Sequence, residues 1–176
     1  MAFKPSVVAA IFGVLLGALA ATPASATEVE RIGVFGSWSA YTYQEQGNKV
    51  CYMASRPLSS QGDYTKRGDV FMLVSHRPGD GAFDVVNMVA GYPYADGVDV
   101  EVEVGDGTFS LYTEGDRAWT RTETDDRRLT QAIAYGKTLR VRGLSSRGTE
   151  TLDTFSLRGS LDAYKAISKA CNHPVK

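Results

Sequence analysis

From Val98 to Val104 the chain alternates strictly, with Val98, Val100, Val102 and Val104 separated by Asp99, Glu101 and Glu103. A period of two places one kind of residue on each face of a pleated strand, so this segment separates apolar from charged groups only as a strand. Asp106-Gly107 accepts the positive φ angles of a two-residue turn and predicts a hairpin over residues 98–113. With those two residues as the turn, Val104 faces Phe109 and Val102 faces Leu111 on one face, and the three acids take the other.

The rest of the chain repeats short segments of this kind, punctuated by glycine and Asp-Gly. Residues 70–75 (VFMLVS) are a continuous apolar run, the pattern of a central strand covered on both faces. Pro78-Gly79-Asp80-Gly81 turns the chain and residues 83–90 return it. Residues 37–43 and 50–55 predict a first strand pair, and residues 138–144 and 149–157 a last one. Two helices interrupt the pattern. Residues 126–135 put Leu129, Ala132 and Ile133 on one side, with Gly136 just past the end. Residues 160–171 start at Ser160 as a cap and carry Leu161, Tyr164, Ile167, Ser168 and Cys171 along one stripe. The expected fold is mostly β: an antiparallel β-sandwich of about eight to ten strands, with one short internal helix and a C-terminal helix, in a single domain. A partly open barrel is the alternative.

Residues 1–26 read as a cleavable signal peptide. Lys4 is their only charge, residues 7–21 are apolar or glycine, and Ala24-Ser25-Ala26 puts small residues where a signal peptidase reads them, so cleavage is expected between Ala26 and Thr27. As a membrane anchor the apolar run is too short, since its helix reaches roughly 22 Å against about 30 Å of hydrocarbon. Residues 27–176 then form one domain with no transmembrane segment, periplasmic or secreted, with the outer-membrane surface as a further destination. The formal net charge is −1 and no basic block is present, which argues against nucleic acid as a partner. Cys51 and Cys171 are the only cysteines. In an exported chain an even pair reads most simply as a disulfide, here between an early strand and the last helix. Two free buried thiols, or a metal site joined by His76 and His173, are the alternatives.

Gly36-Ser37-Trp38, Cys51-Tyr52-Met53 and Ala132-Ile133-Ala134-Tyr135-Gly136 are followed by residues 147–159 (RGTETLDTFSLRG), which run into the helix ending at Cys171. Together these stretches resemble the invasion-associated locus B family of small exported bacterial proteins. The resemblance spans nearly all of residues 27–176 and is most specific in the C-terminal third. Members often carry another cysteine soon after the tryptophan, where this chain has Tyr41 and Tyr43. The resemblance therefore favours a single bond between Cys51 and Cys171. It implies an exported β-sandwich linked by name to host-cell invasion, with no catalytic residue to carry over.

Few residue sets offer chemistry. A hydrolase needs a histidine beside a nucleophile and an acid. Ser75-His76-Arg77 at a strand end, with Asp84 across the hairpin, is the nearest approach, but no Gly-x-Ser-x-Gly elbow is present. The other reading of His76 is a solvated histidine at a turn. Asp99, Glu101 and Glu103 form an acidic row that suits a basic partner, a solvated face, or Ca²⁺ with Asp96 or Asp106, although a flat strand spreads calcium ligands apart. Tyr92-Pro93-Tyr94 is the expected binding segment, since exposed tyrosines stack on sugars and anchor protein contacts, with a turn packed against the sheet as the alternative. Trp38 and Trp119 are expected in the core. Asp125-Asp126-Arg127-Arg128 reads as a helix start with ordinary charge pairing. The expected function is that of a non-enzymatic envelope protein acting on an unidentified envelope or host protein, without cofactor, metal or catalytic residues. A periplasmic small-ligand or glycan binder is the alternative, and a hydrolase built on His76 the weakest.

Overall fold

The structure, a computed structural model, describes residues 28–175. The expected signal peptide and the cleavage point at Ala26 and Thr27 lie outside the described residues. The first layer is built from β1 (Glu30–Phe35), β2 (Trp38–Glu45), β3 (Asn48–Ser55), β5 (Phe71–Arg77), β6 (Ala82–Val89) and β9 (Arg117–Trp119). The second takes β4 (Ser59–Gly62), β7 (Val100–Val104), β10 (Thr138–Leu144) and β11 (Glu150–Ser156). β8 (Gly107–Glu114) belongs to both: residues 107–111 pair with β7, whereas Tyr112, Thr113 and Glu114 pair with β9. All eleven strands therefore form one antiparallel sheet, in the order β1-β2-β3-β5-β6-β9-β8-β7-β10-β11-β4, that turns back on itself along β8. A strand that changes layer is how a sandwich makes a corner.

The inward faces of both layers share one core. Trp38, Met53, Met72 and Met88 come from the first layer, and Val102, Leu111, Val141 and Phe155 from the second. α1 (Glu123–Tyr135) covers β6 through Leu129 and Ile133, and α2 (Ser160–Ala170) covers β1, β2 and β3. Trp38 joins the two layers directly, because its buried indole Nε1 donates to the Ser156 carbonyl at 3.0 Å. Trp119 departs from expectation. Ala118 takes the inward position of β9, so the neighbouring Trp119 lies half-buried on the outer face.

The hairpin forms with its expected faces and a different register. The turn is Gly105-Asp106, with Gly105 at φ 57°, and the pairs are Val104 with Gly107, Val102 with Phe109 and Val100 with Leu111. A slip of two residues preserves side-chain parity, so Val100, Val102 and Val104 still point inward, whereas Val98 precedes the strand and is exposed. The expected first and last strand pairs are present as β2–β3 and β10–β11. β1, β4 and β9 were not expected. β4 is Ser-Ser-Gln-Gly, without one apolar side chain, and β9 is three residues long, so neither carries a period to read. α1 begins at Glu123, where the Thr122 hydroxyl accepts from the Asp125 N–H at 3.1 Å. In α2 the capping position belongs to Gly159, not Ser160. The Ser160 hydroxyl sits inside the first turn, 2.7 Å from the Leu157 carbonyl and 2.8 Å from the Ile133 carbonyl, which compete for its one proton.

Cys51 and Cys171 form a disulfide across a Cα–Cα distance of 6.0 Å. It joins the middle of β3 to the residue that ends α2, across 120 residues of sequence. Closing so long a loop removes much of the unfolded chain's freedom, an effect of about 5 kcal/mol in the chain-entropy picture. Cys51→Ser is expected to lower stability by about 2–5 kcal/mol in urea unfolding. Equal unfolding midpoints for wild type and variant, each in its oxidised preparation, contradict the role given to the bond.

Candidate functional site

Three loops meet at one end of the sandwich. Gly91, just past β6, turns with φ 72°, and Gly68 donates its N–H to the Gly91 carbonyl at 2.9 Å. The backbones pass so close that a Cβ on residue 91 would lie 2.5 Å from the Gly68 oxygen, so only glycine fits there. Beyond Pro93 the chain pairs briefly with the β10–β11 turn. Ser146 N–H donates to the Pro93 carbonyl at 2.8 Å and Tyr94 bridges to Ser145. Between these loops lies a groove of about 550 Å³ whose walls include Tyr64, Lys66, Arg67, Tyr92, Pro93 and Arg147.

Arg67 organises this groove. Its guanidinium makes a two-pronged pair with Asp153 on β11, at 2.8 and 2.6 Å, and its Nε donates to the Ala90 carbonyl at 2.7 Å. Both side chains are buried, at 5% and 1% exposure. A charge so far from water persists only when every donor and acceptor is met, and the fork geometry of arginine meets a carboxylate this way. The guanidinium also lies 4.8 Å from the centre of the Tyr92 ring and 5.5 Å from that of Tyr64. Tyr92 is fixed from below by a hydrogen bond of 2.6 Å between its hydroxyl and that of Thr151. The result is an aromatic floor around a neutralised ion pair, with the cationic side chains of Lys66 and Arg147 exposed above it. Such a floor suits flat or extended ligands that bring an anionic group.

Of the expected tyrosine segment, Tyr92 and Pro93 line the groove, Pro93 exposed and Tyr92 half-buried. Tyr94 does not. It is 4% exposed and packs edge-on against Tyr92, with ring centres 5.2 Å apart, because its bridge to Ser145 turns the side chain into the core. Burial pushes its phenol well above the ordinary range, so it is a neutral core residue.

The acidic row is not a free strip. The β7–β10 register sets Arg140 opposite Glu103 and Arg142 opposite Glu101, and the charged atoms lie 3.5–3.8 Å apart. Asp99 accepts from the Ser110 hydroxyl at 2.6 Å and pairs with Arg121 at 2.7 Å, contacts that hold its carboxyl below the usual range. Arginines laid across every acid leave this face charge-balanced and disfavour both a bound Ca²⁺ and a docking strip for a basic partner.

His76 is not at a solvated turn. It occupies an inward position of β5 with no exposed surface. Its Nδ1 accepts the Asp84 N–H at 3.1 Å and its Nε2 lies 3.1 Å from the Ser168 hydroxyl. Ser168, His76 and Asp84 thus imitate a hydrolase triad in composition, but the proton is on the wrong nitrogen. With Nδ1 accepting, Nε2 carries the hydrogen and donates to the serine, whereas a general base must accept from it. His173, the fourth residue from the end of the sequence, folds back over this histidine, their ring centres 4.7 Å apart. The two histidines do come together, as one alternative for the cysteines supposed, but with Asp84 as their neighbour, because both cysteines are used in the disulfide.

The fold defines a class: a two-layer antiparallel β domain, stapled by one disulfide to its C-terminal helix and carrying a loop-walled groove at one end. The family described as Invasion associated locus B (IalB) protein matches residues 38–168, and the chain belongs to it. Among solved structures, invasion associated protein B of Bartonella henselae has a similar fold, with a TM-score of 0.56 at 21% identity, covering 85% of this chain and 100% of that one. A comparison with curated proteins finds no match.

Two expectations follow from these side chains. Arg67→Ala leaves the Asp153 carboxylate buried without its partner and is expected to cost about 3–5 kcal/mol in urea unfolding. A loss below 1 kcal/mol means that water reaches this pair freely. Burial, opposed by Asp84 and assisted by His173, pushes His76 down from 6.5 to about 4. The unfolded chain therefore takes a proton that the folded one refuses. Stability is full above about pH 6.5 and falls as pH drops towards 4, by up to about 3 kcal/mol from this group. Unfolding measured across that range is expected to show a shallower acid limb in His76→Gln than in wild type, and equal slopes contradict it.

Proposed function

We propose that this chain is an exported, non-enzymatic binding protein of the bacterial envelope, and that it holds an extended segment of another envelope or host-cell protein in the groove beside Tyr92. The observation that carries this reading is the floor of the groove, where Arg67 is locked between two tyrosine rings before any ligand arrives. Tyrosine and arginine are the residue types that dominate contact energies, and a side chain already ordered loses little entropy on binding. The disulfide supports an oxidising compartment, in keeping with the signal peptide expected over residues 1–26. The family description and the name of the Bartonella henselae protein link those proteins with invasion, which supports a host-cell partner for this one.

A small periplasmic ligand or glycan is the second reading, favoured by the groove's volume of about 550 Å³, within the range usual for small-molecule sites. Photo-crosslinking in living cells separates the two. A crosslinker at Lys66, on the rim, is expected to trap one protein species, and the same group at Lys165, exposed on α2, is expected to trap none. Tyr92→Ala is expected to reduce the Lys66 adduct at least about tenfold, the loss of one interface anchor. A trapped sugar or lipid in place of protein supports the second reading. Equal labelling from Lys66 and Lys165 contradicts the groove as the site of either.

A further inference from the structure

We propose that His76, Asp84 and His173 form a binding site for a divalent metal ion of the zinc type, at the disulfide end of the molecule and independent of the groove.

The three residues come from separate places: His76 from β5, Asp84 from β6, and His173 from the tail that follows α2. Their donor atoms all lie within 4.8 Å of one another. His173 Nε2 is 3.4 Å from Asp84 Oδ2, and His76 Nδ1 is 3.8 Å from Asp84 Oδ1. Ligands bound at about 2.0–2.1 Å around a tetrahedral zinc stand about 3.3–3.4 Å from each other. The His173–Asp84 contact already has that length, and the remaining donor atoms, within 4.8 Å of one another, close on the ion by as much as about 1.4 Å. Two imidazoles and a carboxylate are a donor set for zinc and its transition-metal neighbours, whereas calcium and magnesium take oxygen.

The second observation concerns what is left over. Among the described residues, His173 Nε2 is the one buried side-chain nitrogen or oxygen without a hydrogen-bond partner. A polar atom in that position calls for an explanation, and a ligand held between it and the facing carboxylate supplies one. Asp84 is unusual as well. It holds φ 60° inside a strand, beside a break in the β5–β6 register, and its side chain is buried. Left-handed backbone at a non-glycine residue is costly and gathers at functional positions.

The surrounding contacts are those that support metal ligands. Tyr164 donates its hydroxyl to Asp84 Oδ1 at 2.7 Å, which fixes the carboxylate. The contact from His76 Nε2 to Ser168 holds the proton on that nitrogen and keeps the lone pair on Nδ1, the atom that faces Asp84 and His173. Ligating histidines are oriented this way by their second nitrogen. The Asp84 N–H now bonds the same Nδ1, so an incoming ion has to displace that bond. His173 is the partly exposed member, at 14%, and gives the ion its way in from the tail. The disulfide sets up the arrangement. Cys51 is paired with His76 across β3 and β5, and Cys171 stands two residues before His173, so one covalent bond holds both histidine-bearing segments together.

The chain has only two histidines, which makes the test direct. Untagged protein, purified in its oxidised form and stripped with EDTA, is titrated with ZnCl₂ by calorimetry and followed by the ring signals of the histidines in NMR. One zinc per chain is expected to bind, to shift both histidine rings and to raise the melting temperature. His173→Gln is expected to melt like the zinc-free wild type and to bind zinc at least about tenfold more weakly, as Asp84→Asn also should. Zinc that leaves either histidine ring unshifted, or that binds His173→Gln as tightly as wild type, overturns the proposal. So does the absence of saturable binding in the wild type, an outcome that needs no variant to fold.

Discussion

The two-pronged contact between Arg67 and Asp153 is what the grooved end of this molecule depends on. A guanidinium and a carboxylate at 5% and 1% exposure tolerate neither a missing partner nor a loose geometry. Satisfying them fixes the loop after β4 against β11, and the same arginine reaches the last turn of chain after β6 through the Ala90 carbonyl. Three segments distant in sequence are thereby held in one arrangement, and Tyr64 and Tyr92 take their places against the guanidinium as a consequence.

The opposite end uses a covalent bond for the same purpose. The Cys51–Cys171 link brings the tail beyond α2 back onto β5, where His173 covers His76 and faces Asp84. Between the ends, the sandwich needs little beyond ordinary burial, with β8 carrying the single sheet from one layer to the other. The outer acids and arginines of β7 and β10 neutralise one another and mark that face as solvated surface.

Much of the fold was legible in the alternation of residues. Period two gave the hairpin, the β2–β3 pair and the β10–β11 pair with their correct faces, and the helical stripe of 160–171 placed Cys171 towards the interior. The slip in the β7–β8 register arose because Gly105 and Gly107 both flank Asp106, and either pairing keeps the valines inward. The sites were harder to read, for a reason the same periodicity could have exposed. Asp153 shares the inward parity of Thr151 and Phe155, His76 that of Met72 and Val74, and Asp84 that of Val86 and Met88. A charged or titratable residue in an inward position signals a buried partner elsewhere, here Arg67, Ser168 and Tyr164. Which partner answers is set by loops and a tail that carry no period. Likewise, Arg140 and Arg142 alternate in β10 as the acids do in β7, and only the pairing of those strands reveals that they cancel.

Hydrogen exchange on the near-isosteric Asp153→Asn protein, compared with wild type, measures most directly whether the buried pair preorganises the groove. Losing the carboxylate's charge with little change in volume should release the loop over residues 63–68, so its amides exchange faster while those of β5 and β10 keep their protection. Unchanged exchange through residues 63–68 would contradict the account, because the loop would then be held by something other than the contact on which the groove is said to rest.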